Sequence, residues 1–163
     1  FSELHLFDTG LRLGGSYVSS PLTSETTNSV RQTDKGQASG ATTVNQKVQV
    51  NLEEMFSLYA AYHHVIDDGF FSSVFVKAGI IQADVITKEL LGSGSSYGNT
   101  TLEGEFVGLG LEKNIGPVFV RLEGSVTQFD DIKLTNTGST NANTIEVTGL
   151  DGAMAQFSIG KSF

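Results

Sequence analysis

Residues 47–62 read KVQVNLEEMFSLYAAY, and the hydrophobic pattern of this stretch decides the fold. Seven of its eight even-numbered positions are apolar, with Glu54 the exception, while the odd-numbered positions are mostly polar. Side chains of a β-strand point alternately to two faces, so a period of two predicts one long strand with an apolar and a polar face. A helix would space its apolar residues three and four positions apart.

The same alternation recurs along the chain and predicts an all-β, antiparallel up-and-down architecture. The connections alternate between short ones, at 63–69 and 113–116, and long polar ones, at 20–45, 87–100 and 131–143. No composition break suggests a second domain, so residues 1–163 form one domain. The predicted strands are 8–20, 44–62, 70–87, 99–113, 116–131 and 153–163.

Composition excludes several classes of protein. There are 18 acidic against 10 basic residues, and the formal net charge of −8 argues against nucleic-acid binding, which needs a basic surface. The absence of cysteine rules out a disulfide scaffold and a thiol nucleophile. No apolar run approaches the roughly 20 residues of a membrane-spanning helix. Composition alone would therefore indicate a polar soluble protein.

The strand pattern favours lipid rather than water on the apolar face. Segment 47–62 exceeds the roughly 5–6 residues of a soluble strand and reaches the roughly 9–11 of a membrane-crossing one. Long connections at one end and short turns at the other are typical of outer-membrane barrels. The polar face mixes glycines with charges of both signs, as a narrow interior requires. Aromatic residues at strand ends predict an interfacial girdle: Phe7, Tyr62, Phe70, Phe71 and Phe163.

The last nine residues, AQFSIGKSF, place apolar side chains at every second position back from Phe163 through Ile159 and Phe157. This resembles the C-terminal signal that the assembly machinery of bacterial outer-membrane barrels reads, although Lys161 stands where an aromatic is common. Segments 51–63, 74–79 and 105–130 resemble successive strands of small eight-stranded barrels of the OmpA-like/opacity-protein class. That resemblance implies a transmembrane barrel and no particular activity.

Strand counting predicts that the sequence is a fragment or a processed chain. Bacterial single-chain barrels have an even number of strands, with eight the usual minimum. Residues 1–163 hold six full strands, and FSELHLF (1–7) forms the tail of another that turns at FDTG. We therefore expect an N-terminal hairpin to be missing, and FSELHLF itself lacks the features of a signal peptide. A measured intact mass near 17.4 kDa would contradict this.

Charged residues on the polar strand faces form the best-defined constellation. Inside a barrel they must pair, since an unpaired buried charge is too costly. We expect Arg121 opposite Gly108, Glu123 opposite Phe106, and Lys77 near Met55 with Glu53 diagonal to it. The network is read as a plug that fills the interior, with a gated pore as the alternative. Its predicted members are Arg12, Glu53, Lys77, Glu112, Arg121 and Glu123.

The sequence contains little evidence for a catalytic, metal or cofactor site. Adjacent strand residues His63 and His64 point to opposite faces, so they cannot easily chelate one metal. No histidine has the spacing of a catalytic dyad with serine. The glycine-rich run GLGLEKNIG (108–116) lacks the phosphate-loop pattern. We therefore expect a protein that is not an enzyme and binds no cofactor.

The sequence thus predicts a surface-display protein of the bacterial outer membrane whose loops serve adhesion, envelope integrity or partner contact. Its partners would be outer-membrane lipid and lipopolysaccharide, the barrel assembly machinery, and a loop partner or second copy, with no nucleic acid. The first alternative is a small channel for ions or hydrophobic solutes. The second is a soluble, lipocalin-like ligand-binding barrel.

Overall fold

The computed structural model describes residues 1–19, 22–23, 27–33, 42–90, 97–137 and 144–162. This part of the chain is built almost entirely of β-strands, joined at one end by a 3-10 turn over Phe7–Thr9 and a turn at Gly116 and Pro117. The strands are β1 (Ser2–Leu6), β2 (Leu11–Val18), β3 (Leu22–Thr23), β4 (Thr27–Thr33), β5 (Thr42–Val65), β6 (Ser73–Leu90), β7 (Thr100–Ile115), β8 (Val118–Phe129), β9 (Ile132–Thr135), β10 (Thr144–Val147) and β11 (Asp151–Lys161).

The main sheet has the order β1-β2-β5-β6-β7-β8-β11, and every neighbouring pair is antiparallel. This confirms the prediction of an all-β, up-and-down antiparallel sheet made of six full strands and the tail of another. Over the described residues, however, no ladder joins β1 to β11, so a closed barrel is not found. Those same residues contain no helix of the length and apolarity needed to cross a membrane.

Two segments predicted as loops contain strands. Within 20–45, β3 and β4 pair with the upper part of β5, which begins at Thr42. Within 131–143, β9 forms a separate two-stranded sheet with β10. The loop prediction was wrong here because Ser, Thr and Asn obscure the apolar alternation, whereas threonine favours strands and backbone pairing needs no apolar side chain.

The strand register differs from the prediction because the turns lie elsewhere. Ile115 pairs with Val118 across a two-residue turn in which Gly116 adopts φ 63°, so Arg121 lies opposite Glu112 and not Gly108. The same shift puts Glu123 opposite Gly110 rather than Phe106. A turn of this kind needs positive φ, which glycine adopts without strain.

The connection between β5 and β6 has the expected length but lies three residues later, at 66–72 rather than 63–69. Val65 pairs with Ser73, so Lys77 lies opposite Ala61 and not near Met55. The predicted diagonal contact between Lys77 and Glu53 is therefore wrong, because Glu53 lies eight positions before Ala61 on β5.

The two faces of the main sheet have opposite chemistry. Its buried inner face carries charged and aromatic side chains, among them Arg121, Glu112 and Phe75. Its outer face carries exposed apolar residues in rows that cross the strands. One such row runs through Leu11, Tyr62, Val76, Leu109, Gly124 and Ala155. This distribution is the reverse of a water-soluble sheet, which buries its apolar face.

Inward aromatic rings lie on glycines of the neighbouring strand. Tyr59 covers Gly14, Phe75 covers Gly110 and Phe119 covers Gly160. Without a side chain, each glycine leaves room for the ring to lie flat against the sheet. The rings therefore fill the inner space close to the wall and leave its centre to the charged side chains.

Replacing Gly110 with alanine is expected to lower the free energy of unfolding by about 1–3 kcal/mol. The new Cβ would lie 2.6 Å from Cε1 of Phe75 and 2.6 Å from the backbone oxygen of Leu122, which cannot move without breaking the ladder. Gly124→Ala is the matched control, since nothing lies within 4 Å of its Cβ position. Urea unfolding of both variants tests this, and equal stabilities would contradict it.

Strand β5 contains a bulge between Glu53 and Phe56, where Glu54 adopts φ 49°. The left-handed conformation costs a non-glycine residue roughly 1–2 kcal/mol. Glu54→Gly is therefore expected to raise the free energy of unfolding by about 1 kcal/mol. Glu53→Gly, where φ is not positive, should instead lower it by about 0.5–1 kcal/mol. Both values come from urea unfolding, and destabilisation by Glu54→Gly would show that the bulge is not strained.

Candidate functional site

Four charged side chains meet on the inner face and form a cluster that we call the quartet: Glu3, Arg12, Glu112 and Arg121. Nη1 and Nη2 of Arg121 donate to the two carboxylate oxygens of Glu3 over 2.7 and 2.9 Å. Nη2 of the same guanidinium also donates to Oε2 of Glu112 over 2.6 Å. Arg12 bridges Glu3 and Glu112 over longer distances of 3.3 Å. Arg121 is therefore the tightly held member and Arg12 the looser one.

The quartet joins strands that are not neighbours in the sheet. Glu3 lies on β1 and Arg121 on β8, while Arg12 lies on β2 and Glu112 on β7. Only the Glu112–Arg121 contact is between directly paired residues. The Arg12–Glu3 contact is diagonal, between the neighbouring strands β2 and β1. The Glu3–Arg121 and Arg12–Glu112 contacts cross the inner space, so the sheet must curl until its inner face encloses the cluster.

A second ion pair lies next to the quartet. Nζ of Lys77 contacts Oε1 of Glu123 and lies 4.6 Å from the centroid of the Tyr59 ring and 5.2 Å from that of Phe106. The hydroxyl of Tyr59 donates to Oε1 of Glu3 over 2.9 Å, which links this pair to the quartet. Together, the pair and the quartet form one inner charge network.

The inner charge network is electrically balanced, with three carboxylates and three cations. Aromatic rings surround its centre, and the guanidinium carbon of Arg121 lies 4.7 Å from the Phe75 ring, 4.8 Å from Phe1 and 5.3 Å from Phe119. Arg121 is only 2% exposed. Because each buried charge has a partner of opposite sign, the network can fill the interior without the cost of an isolated ion.

Two residues differ from the expected membership. Glu53 lies apart from the network and accepts a hydrogen bond from Nδ2 of Asn51 over 3.2 Å, since the bulge and the displaced β5–β6 turn carry it away from Lys77. Glu3 was not predicted, although it accepts two of the short hydrogen bonds that Arg121 donates. The alternation of Ser2, Glu3 and Leu4 indicates that Glu3 points inward, but β1 has only five residues, which is too short a pattern to identify a strand face.

A cleft of about 630 Å³ opens at the short-turn end of the sheet, next to Arg12. His63 lines it, with Nδ1 3.3 Å from Oγ of Ser73 and its ring stacked on Phe75 at 4.7 Å. His64 is exposed on the opposite face, as the alternation requires. Among the residues that the structure describes, no group of three metal-ligating side chains comes together.

The predicted girdle aromatics occupy different environments. Phe7, on a turn with φ 56°, is 90% exposed, and Phe70 and Tyr62 also face outward. Phe71 is instead half-buried, because its ring packs edge-on against Phe70 at 5.1 Å and lines the cleft. On β11, Phe157 and Ile159 lie exposed on the outer face. Phe163, predicted for both the girdle and the assembly signal, lies outside the described residues.

Comparison with known proteins identifies no relative of this chain. No protein-family model, no curated protein and no solved structure matches it. The resemblance to OmpA-like and opacity-protein barrels therefore stays an interpretation of the sequence.

Proposed function

We propose that this protein is a structural and surface-display element of a bacterial outer membrane, embedded in lipid through the outer face of its sheet. The observation that carries the proposal is the inverted burial: a balanced set of charges inside and apolar side chains outside. Isolated exposed apolar residues are common on soluble proteins. Continuous apolar rows across six strands are not, and such a surface marks contact with lipid or with another protein. Lipid tails are the environment that such a face fits best.

The size of the outer apolar band supports this proposal. On β11, Asp151 and Lys161 bound the apolar outer residues Ala153, Ala155, Phe157 and Ile159. Ten residue steps of about 3.3 Å, tilted by about 40°, span about 25 Å, which is the height of the apolar band of a membrane barrel. The band thus has the thickness that a bilayer would cover.

The end opposite the short turns suits the display of polar segments. There β4 pairs with the upper part of β5, and the β9–β10 hairpin leaves the main sheet as a sheet of its own. On its described strands, this hairpin alternates the apolar pair Leu134–Ile145 with the charged pair Lys133–Glu146. The main sheet and the paired strands at this end form a scaffold that can present polar segments to a partner.

Membrane retention tests the proposal directly. The purified protein is reconstituted into phosphatidylcholine vesicles, washed at high pH with carbonate and floated on a density gradient. We expect it to float with the lipid after the wash. Recovery in the aqueous phase without detergent would overturn the proposal and favour the soluble, lipocalin-like alternative.

Ion conduction separates a plugged interior from a channel. Because the inner charge network occupies the centre, we expect purified protein in a planar bilayer to give no steady ohmic current steps. Detergent alone, at the same dilution, is the control. Reproducible steps whose number follows the protein concentration would contradict the plugged interior and favour a channel.

A further inference from the structure

The cleft of about 630 Å³ at the short-turn end has the size and the walls of a ligand site. Sites for small ligands are typically clefts of about 300–1,000 Å³ that combine apolar walls with a few polar groups. Phe7, Ile66 and Phe71 contribute to the apolar wall of this cleft. Arg12 of the quartet lines it as well, so the cleft reaches the inner charge network.

His63 is a buried polar side chain in this cleft whose hydrogen bonding is incomplete. It is only 4% exposed, and its Nδ1 lies 3.3 Å from the hydroxyl of Ser73, which is buried too. Its Nε2 is covered and has no hydrogen-bond partner among the described residues. Because a buried ring nitrogen without a partner costs free energy, a ligand that supplies the missing partner would bind favourably.

Two donors that are not fully used line the cleft together. When the Ser73 hydroxyl donates to Nδ1 of His63, the proton of the neutral imidazole is on Nε2, which is then a donor without an acceptor. Arg12 is the looser member of the quartet, with contacts of 3.3 Å to Glu3 and to Glu112. A carboxylate has two acceptor oxygens and is the group that fits both donors.

The acidic, lysine and arginine side chains that line the cleft add up to no net charge. Arg12 and Lys113 are cations, and Asp8 and Asp67 are carboxylates. Because the adjacent inner charge network is balanced as well, a ligand with a net charge would add an unpaired charge beside it. A ligand with one negative and one positive group avoids that cost. Its positive group can meet Asp8 or Asp67, which are both exposed on turns.

We propose that the cleft binds a short apolar peptide through both of its charged ends. The C-terminal carboxylate of the peptide accepts hydrogen bonds from Arg12 and from Nε2 of His63, which a small movement of the ring uncovers. The N-terminal ammonium lies near Asp8 and Asp67, and the apolar side chains of the peptide pack against the apolar wall. Capture of a free carboxylate is a recurring mode of peptide recognition.

Isothermal titration calorimetry of the full chain in detergent micelles tests the proposal with the tripeptide alanyl-leucyl-alanine. We expect saturable one-to-one binding. The same peptide with a C-terminal amide should bind at least about tenfold more weakly, because it lacks the charge that Arg12 meets. No binding of the parent peptide, or equal binding of the amide, would overturn the proposal.

The turn after β5 offers a matched pair of acidic residues for testing the other end of the peptide. Asp67 and Asp68 are both exposed, but only Asp67 lines the cleft. We expect Asp8→Asn/Asp67→Asn to weaken binding of the tripeptide about two- to fivefold, as loss of an exposed ion pair does, and to leave binding of its N-acetylated form unchanged. Asp68→Asn should bind both peptides like the parent protein. Equal affinities of the two variants for the tripeptide would overturn binding through both ends.

His63→Phe separates binding by the imidazole from a role in folding. Phenylalanine keeps a ring on Phe75 and removes the unpartnered nitrogen, so the urea midpoint should stay close to that of the parent protein. Binding of the tripeptide should nevertheless weaken by about tenfold. Unchanged affinity in this variant would overturn the proposal.

Small ions are the competing occupants of the cleft. Inorganic phosphate has negative charge alone, and glycine has both charges without a side chain. If either displaces the tripeptide at equal concentration, the cleft is a general ion site and the proposal fails. All of these measurements use micelles, so they are independent of the outcome of the vesicle experiment.

Discussion

Replacing Arg121 with methionine is expected to lower the free energy of unfolding by about 3–5 kcal/mol, the cost of removing one partner from a buried charge cluster. Methionine keeps much of the side-chain volume but no donors. Glu3 would then keep only the bond from the Tyr59 hydroxyl and the longer 3.3 Å bond from Arg12, and Glu112 only the 3.3 Å contact with Arg12. We expect the variant to unfold at much lower urea concentration than the parent in the same micelles.

A second substitution that restores the charge balance is expected to recover part of the stability that Arg121→Met loses. In Arg121→Met/Glu112→Gln, one cation and one carboxylate are removed together, so the inner face stays neutral. We expect the double variant to be more stable than the sum of the two single changes predicts, with a coupling of about 1–3 kcal/mol. Lys133→Gln, on the exposed hairpin, is the control and should change stability by less than about 0.5 kcal/mol. Additive effects, or an Arg121 change as mild as this control, would refute the paired network.

The sequence predicted the faces of the strands better than it predicted their partners. Alternation along the predicted strands 70–87, 99–113 and 116–131 depends only on the geometry of the single strand, so it identified Lys77, Glu112 and Arg121 as inward-pointing. Which residues lie opposite each other depends on the turns. The turns at Gly116–Pro117 and before Ser73 both lie later in the sequence than predicted, which moved the pairs of these two hairpins by several residues. Neither turn could be located from apolar periodicity.

Cross-sheet contacts were beyond sequence reasoning for a different reason. Glu3 and Arg121 are 118 residues apart, and they meet only because the sheet curls. Glu53 was assigned to the network from its odd position, but the bulge at Glu54 changes the pairing beyond it. Curvature and bulges are properties of the assembled sheet, whereas alternation is a property of one strand. The sequence therefore predicted most of the residues that belong to the site, but not which of them contact each other.

The loss of stability in the Leu109→Arg variant is expected to show whether the outer face lies against lipid or against water. Leu109 lies on β7 and is 65% exposed, with Val107 and Leu111 beside it on the same face. In a bilayer, a charge near the middle of such a band costs about 2–4 kcal/mol. On a water-facing strand the same change at an exposed position would cost less than about 0.5 kcal/mol. The measurement is urea unfolding of the protein reconstituted in phosphatidylcholine vesicles.

Glu105→Arg is the matched control, because Glu105 lies on the same strand and the same face, four residues away and at the polar border of the band. Near the interface an arginine costs only about 0–1 kcal/mol. A bilayer makes the free energy of unfolding depend on the position of the arginine along the strand, whereas water on the outer face would not. If both variants unfold alike, the outer face is not in lipid and its apolar rows must be covered by protein instead.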